Sequence, residues 1–147
     1  MTSFTAEEWW IRAKALEQYD EAKRLDPSDR NYPDQELVPF CDWLNEQDGV
    51  FTIFSCSGHD GRLMPNRAGG YVMAYLRDDL REKMFSRANS FLNDPIHSIE
   101  FKNSMWLRKE LGRDIDCIVI RFYGNERGTL DESIASMRSM FETILEN

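Results

Sequence analysis

The segment of the chain with the most chemical potential spans residues 55–70 and reads SCSGHDGRLMPNRAGG. It combines four glycines and two serines with His59, Arg62 and Arg67. Glycines let successive backbone N–H groups converge on an anion, and guanidinium groups bind phosphate or carboxylate through two parallel hydrogen bonds. The segment therefore predicts an anion-binding loop. The alternative is a long β-hairpin loop whose charges are simply solvated.

A second polar segment, RFYGNERGT, spans residues 121–129. It follows an apolar run and precedes a helix that opens at Thr129, so free N–H groups at the helix start would favour an anion. Arg121 precedes this turn, and the ring of Tyr123 can stack on a planar base or pack at the sheet edge. The alternative is a capped turn with solvated charges.

Together the two segments predict one ligand-binding site between two loops. The predicted site residues are Ser55, Cys56, Ser57, Gly58, His59, Arg62, Arg67, Arg121, Tyr123, Asn125, Arg127 and Thr129. Cys56 and His59 could act as a nucleophile and its base. However, Asp60 is the one carboxylate near them in sequence that could orient the histidine, so no catalytic residue is predicted. Two histidines and three scattered cysteines give no recognised ligand spacing, and no metal site is predicted.

Composition limits the classes of function. The 147 residues carry a formal net charge of −8, which argues against nucleic acid as a partner because its affinity draws on Lys and Arg. No apolar run is long enough for a membrane span, and the N-terminus lacks the pattern of a signal peptide, so we expect a cytoplasmic protein. Cys41 and Cys117 lie in apolar segments and are expected to be reduced core thiols.

Helical signals frame the chain. Thr5 and Glu8 form a capping box that predicts a helix from about Ala6 to Arg24. Its apolar face is expected to include Trp9, Ala13 and Leu16, with Tyr19 as a further candidate. One of the adjacent tryptophans Trp9 and Trp10 is expected in the core or at its boundary, and the other near the surface, available for a homodimer contact or for covering a ligand. We predict one domain, comprising an N-terminal helix in 1–26, a linker in 27–36 and a core in 37–147.

The remaining elements follow from periodicity. Pro39 suits the first turn of a second helix, Asp78 is expected to cap a third, and Thr129 with Glu132 should open the last. The expected strands are 50–56, 70–76, 96–102 and 115–123, the last of them central. The order α-α-β-β-α-β-β-α predicts an α+β fold, with about four mainly antiparallel strands and helices on one face. Residues 103–114 fit a strand extension, a short helix or a loop.

The stretch LVPFCDWLNEQDGVFTIFSCSGH (37–59) resembles the wybutosine-pathway tRNA methyltransferase family. The matching pieces are Leu44-Asn45, Phe51-Thr52 and Ser55-Cys56-Ser57-Gly58, with His59 where the family has arginine. It is also similar to small uncharacterised bacterial and phage proteins with a strand that enters a C-x-G-H loop. The first resemblance implies an α+β domain, S-adenosylmethionine as a cofactor and methyl transfer to a modified guanine in tRNA.

Three functions stay open at this point. The first is binding, or sequestration, of a nucleotide-like or other anionic small molecule through the glycine, arginine and serine residues of the two loops. It requires no cofactor. The second is a methyltransferase-like enzyme that uses S-adenosylmethionine, and the third is a protein–protein interaction module or inhibitor with an acidic helical surface.

Overall fold

The computed structural model describes residues 3–29, 32–56, 69–93, 95–123 and 129–146, and for Cys56, Gly69, Tyr123 and Thr129 it describes the backbone alone. Helix α1 (Ala6–Lys23) begins at the predicted capping box. The Thr5 side chain accepts from the Glu8 N–H at 3.1 Å, and Glu8 accepts from the Thr5 N–H at 2.9 Å. Both N-terminal donors are thereby satisfied, which fixes the start of the helix.

The other elements follow the predicted order. A short 3₁₀ turn (Gln35–Leu37) leads into α2 (Val38–Glu46), with Pro39 in its first turn. The strands are β1 (Val50–Cys56), β2 (Gly69–Leu76), β3 (Ile96–Ser104) and β4 (Ile115–Tyr123). Between and after them lie α3 (Asp78–Ser86), α4 (Ala88–Phe91), α5 (Arg108–Leu111) and α6 (Thr129–Leu145).

The four strands form one antiparallel sheet in the order β1-β2-β4-β3. This confirms the predicted α+β class and the interior position of β4. Strand β1 is one edge of the sheet and β3 is the other.

Both faces of the sheet are covered. Alternate side chains of β4 enter two different buried clusters: Ile118 and Ile120 enter the first, and Cys117 and Val119 enter the second. The first cluster lies under α2, α3 and α6, the helical layer expected on one face. The second lies on the opposite face and contains Phe4 together with residues of α1.

The predicted apolar face of α1 was wrong for Trp9 and Ala13, whereas Leu16 is half-buried and Tyr19 packs against the first cluster. The buried residues are Ile11 and Ala15, whereas Ala13 is exposed and Trp9 is 48% exposed. Trp10 is also exposed, so neither tryptophan lies in the core. The reason is that α1 packs beside β1 at the sheet edge: Ile11 and Ala15 join the second cluster, and Tyr19 packs against the first.

One smaller expectation also changes. Asp78 is not the cap of α3; that position belongs to Arg77, and Asp78 pairs instead with Arg81. In β3, the register against β4 shifts between Ile96 and Ser98. Residues 103–114 contain a strand extension, a turn and the short helix α5 in succession.

Candidate functional site

The first predicted loop begins and ends at the end of the sheet where the second loop begins. Gly69, which follows the first loop, pairs directly with Tyr123, which precedes the second. Cys56, the last residue of β1, pairs with Tyr71 two residues into β2. We call this the loop end of the sheet, defined by Cys56, Gly69 and Tyr123. Gly69 and Tyr123 thus lie on neighbouring strands, about 5 Å apart, and Cys56 lies one strand further across the sheet.

Most of the predicted site residues lie in the loops themselves. Seven of them lie outside the described residues: Ser57, Gly58, His59, Arg62, Arg67, Asn125 and Arg127. For Cys56, Tyr123 and Thr129 the described backbone gives the position in the fold: the ends of β1 and β4 and the start of α6. Of the predicted side chains, the structure describes Ser55 and Arg121.

Arg121 lies near the loop end on β4, opposite Tyr71 of β2. Its Nε donates to Glu100 Oε2 of β3 at 2.9 Å, and its guanidinium carbon lies 6.0 Å from the centroid of the Tyr71 ring. The Arg121 side chain is 41% exposed. An exposed ion pair of this kind is worth at most about 1 kcal/mol, so an anionic ligand can share or displace Glu100 at small cost. The Arg121 guanidinium has five N–H donors, and Glu100 engages the Nε–H, so the other four remain for a ligand.

Ser55 does not face Arg121, which corrects the prediction that both side chains line one pocket. Ser55 is paired with Val72, a residue of the first cluster, whereas Arg121 is paired with Tyr71, which packs against the second. The two side chains therefore lie on opposite faces of the sheet. Ser55 hydrogen-bonds to the Cys41 thiol of α2. Burial raises the pKa of that thiol to about 11, and the bond from Ser55 partly offsets the rise.

Sequence reasoning missed the residues that accompany Arg121 on its face. Tyr71 lies in the apolar run GGYVMAYL. Its two-residue alternation with Met73 and Tyr75 was the signal that these three side chains share one face of a strand. Phe54 of β1 is 43% exposed and lies edge-on to Trp106, with 6.4 Å between ring centroids. Nothing in the local sequence distinguishes Phe54 from a core residue, because the register shift between Thr52 and Phe54 determines its direction.

Ser98 contributes a further polar atom near Arg121. It is paired with Arg121 in the β3–β4 register, close to the start of β3. Its hydroxyl oxygen is buried and has no hydrogen-bond partner within the part of the chain that the structure describes. A buried hydroxyl without a partner costs about 1–3 kcal/mol, so such groups commonly mark a place where another donor or acceptor belongs.

Within residues 3–29, 32–56, 69–93, 95–123 and 129–146, no three His, Cys, Asp or Glu side chains lie close enough together to hold a metal ion. The same described ranges contain no helix that is both long and apolar enough to cross a membrane.

Comparison with known proteins adds no assignment. No protein-family model, no curated protein and no solved structure matches the chain. The functional argument therefore depends on the geometry of the chain itself.

Proposed function

We propose that the protein binds a nucleotide-like anionic small molecule at the loop end of the sheet, on the face that carries Arg121 and Tyr71. The observation that supports this most is the direct pairing of Gly69 with Tyr123. It joins the root of the first glycine- and arginine-rich segment to the root of the second, although they are more than 50 residues apart in the chain.

In this proposal each described residue has a definite role. Arg121 binds a phosphate or carboxylate oxygen through the donors that Glu100 does not use, and Tyr71 offers a ring on which a planar base can stack. The ligand also supplies a hydrogen-bond partner for the buried Ser98 hydroxyl, which has none among the described residues. Arg62, Arg67 and Arg127 belong to the two loops and are expected to supply further positive charge. Binding of this kind requires no catalytic group, which suits a protein that sequesters its ligand.

Isothermal titration against a panel of nucleotides tests the proposal. The panel contains mononucleotides, cyclic dinucleotides, cyclic oligonucleotides and S-adenosylmethionine. We expect at least one anionic nucleotide to bind the wild-type protein, and the Arg121→Ala variant to bind it about tenfold or more weakly, because a charge-assisted hydrogen bond is worth about 1.5–3 kcal/mol.

The matched control is Arg113→Ala. Arg113 is a half-exposed arginine just before β4, at the opposite end of the sheet, and pairs with Glu7. Arg113→Ala changes the net charge by the same amount as Arg121→Ala but leaves the loop end intact. The control should therefore bind the nucleotide nearly as well as the wild type. Equal losses in the two variants, or no binding of any panel member at high micromolar concentration, would overturn the proposal. Binding of S-adenosylmethionine alone would favour the methyltransferase alternative.

A further inference from the structure

Strand β3 is the second edge of the sheet, and its central part is uncovered. It is nine residues long and pairs with β4 alone. The four consecutive residues from Glu100 to Asn103 are all exposed, and Phe101 is 52% exposed. Because successive side chains of a strand point to opposite faces, the described chain covers neither face of this stretch.

The backbone of this stretch is also available on its outer side. Apart from the ladder with β4, residues 99–103 make no backbone–backbone hydrogen bond with any other described residue. The edge is closed only near the start of the strand, where Asn93 forms a bridge to Ile96. An edge strand with free outward backbone groups and an exposed phenylalanine is a template for one more strand.

The charges on this strand are complementary to those of the same strand in a second copy. Glu100 and Lys102 project on one face of the sheet, because both pair with β4 residues whose side chains enter the second cluster. Phe101 lies between them, pairs with Ile118 of the first cluster and projects on the opposite face. When two copies of β3 lie antiparallel with their Phe101 residues opposite each other, each Glu100 lies opposite Lys102 of the second copy.

This register is the one that the charges favour. Opposed residues of an antiparallel pair interact directly, and opposite charges there are stabilising whereas like charges are destabilising. A register centred on Glu100 or on Lys102 would place two like charges opposite each other. Glu100 already pairs with Arg121 at 2.9 Å, whereas Lys102 makes no ion pair with any other described residue. Lys102 is therefore available to a carboxylate of a second copy.

We infer that two copies of the chain associate through β3, antiparallel and centred on Phe101, so that their two four-stranded sheets become one. Main-chain hydrogen bonds and the two Phe101 rings supply affinity, and the two Glu100–Lys102 pairs select the register. The interface adjoins the proposed nucleotide site, since Glu100 also contacts Arg121. Association itself requires no ligand.

Sedimentation equilibrium of the nucleotide-free full chain tests association, from low micromolar to several hundred micromolar concentration. We expect the mass to rise from 17.3 kDa towards twice that value. Lys102→Glu makes both cross-strand pairs repulsive and should weaken dimerisation about tenfold or more. Lys109→Glu changes the net charge equally at an exposed position on α5, so this control should dimerise nearly as well as the wild type.

Mixing two charge-reversed variants tests the register. Glu100→Lys gives a chain with two lysines at the paired positions, and Lys102→Glu gives a chain with two carboxylates there. Each variant alone should dimerise weakly. The equimolar mixture restores opposite charges in both pairs, so the two variants should associate with each other more tightly than either does with itself. This gain also shows that both variants are folded.

Disulfide crosslinking locates the centre of the interface. In a Cys56→Ser background, Phe101→Cys would place two thiols on directly opposed residues, with Cα atoms about 5 Å apart and within reach of a disulfide. Asn103→Cys, on the same face, would place the Cα atoms about 14 Å apart. Oxidised glutathione should therefore crosslink the first variant and not the second.

Four outcomes would overturn the inference: a monomer at every concentration, equal effects of Lys102→Glu and Lys109→Glu, no gain on mixing, or equal crosslinking of the two cysteine variants. A dimer that no β3 substitution weakens would place the contact elsewhere, as at the exposed Trp9 and Trp10. None of these results bears on nucleotide binding, which the titration of Arg121→Ala tests separately.

Discussion

At the scale of single residues, the two described thiols are buried groups rather than reactive ones. Cys41 packs in the first cluster and Cys117 in the second. Burial raises the pKa of the Cys41 thiol to about 11 and that of the Cys117 thiol to about 12. Both are therefore protonated at neutral pH and are poor nucleophiles.

These raised pKa values predict loss of stability in alkaline solution. An unfolded thiol has a pKa of 9.0, so above that pH the unfolded chain releases a proton that the folded Cys41 keeps up to about pH 11. The stabilising contribution is complete below pH 9.0, and over this window the free energy of unfolding should fall by about 1.4 kcal/mol per pH unit for each such thiol. Urea denaturation at pH 8, 9, 10 and 11 measures the slope.

The Cys41→Ala variant is the control for this slope. Its stability at pH 8 should be lower because a buried side chain is truncated, but its stability should fall less steeply between pH 9 and pH 11. Identical slopes for the variant and the wild type would show that the thiol does not titrate as the structure requires.

At the scale of elements, Asn45 connects helix α2 to edge strand β1. Its side chain accepts the Thr52 N–H at 2.8 Å and donates to the Thr52 hydroxyl at 3.1 Å. Its backbone carbonyl accepts from Arg12 of α1 at 2.9 Å. One residue thus holds α1, α2 and edge strand β1 together.

Replacing Asn45 by alanine should lower the free energy of unfolding by about 1–3 kcal/mol, because the buried Thr52 N–H loses its acceptor. Chemical denaturation gives this value. Asn103→Ala is the matched control, since Asn103 is exposed on β3 and its loss should change stability by less than about 0.5 kcal/mol. Similar values for the two variants would contradict the role given to Asn45.

Two glycines test turn geometry separately from packing. Both have positive φ, +88° at Gly49 and +72° at Gly112. A Cβ atom at Gly49 would lie 2.8 Å from Leu80 Cδ1, whereas at Gly112 it would meet nothing within 4 Å. Gly112→Ala should therefore cost about 1–2 kcal/mol from backbone strain alone, and Gly49→Ala should cost more. Thermal and urea unfolding compare them, and an equal or smaller loss for Gly49→Ala would be the contrary result.

Local patterns predicted the elements well and their surroundings less well. The capping box at Thr5 and Glu8 marks the start of α1 without reference to the rest of the chain. The buried side of α1 depends instead on where the sheet edge lies, and helical spacing alone favoured Trp9 over Ile11. Likewise, the direction of Phe54 depends on a register shift against β2.

At the scale of the whole molecule, the strand order creates the candidate site. Placing β4 beside β2 brings the roots of the two polar loops together, and β1 is left at the edge of the sheet beside α1. The sequence predicted which residues form strands but not their order, because pairing between distant strands is a tertiary property. Hence the polar loops were recognisable in the sequence, whereas the separation of Ser55 from Arg121 was not.

The same sheet also divides the core, and the last prediction concerns how the two halves unfold. Ile118 and Ile115 are fully buried on β4 but belong to the first and second clusters respectively. Because one strand carries both, we expect Ile118→Ala and Ile115→Ala each to cost about 2–5 kcal/mol and to leave a single transition. Urea unfolding followed by far-UV circular dichroism and by fluorescence reports this. A background with Trp9, Trp10 and Trp106 changed to Phe leaves Trp43 as the reporter of the first face, and a Trp43→Phe background reports the second. The exposed Lys102→Ala is the control. Separate midpoints for the two faces would mean that the clusters are independent folding units.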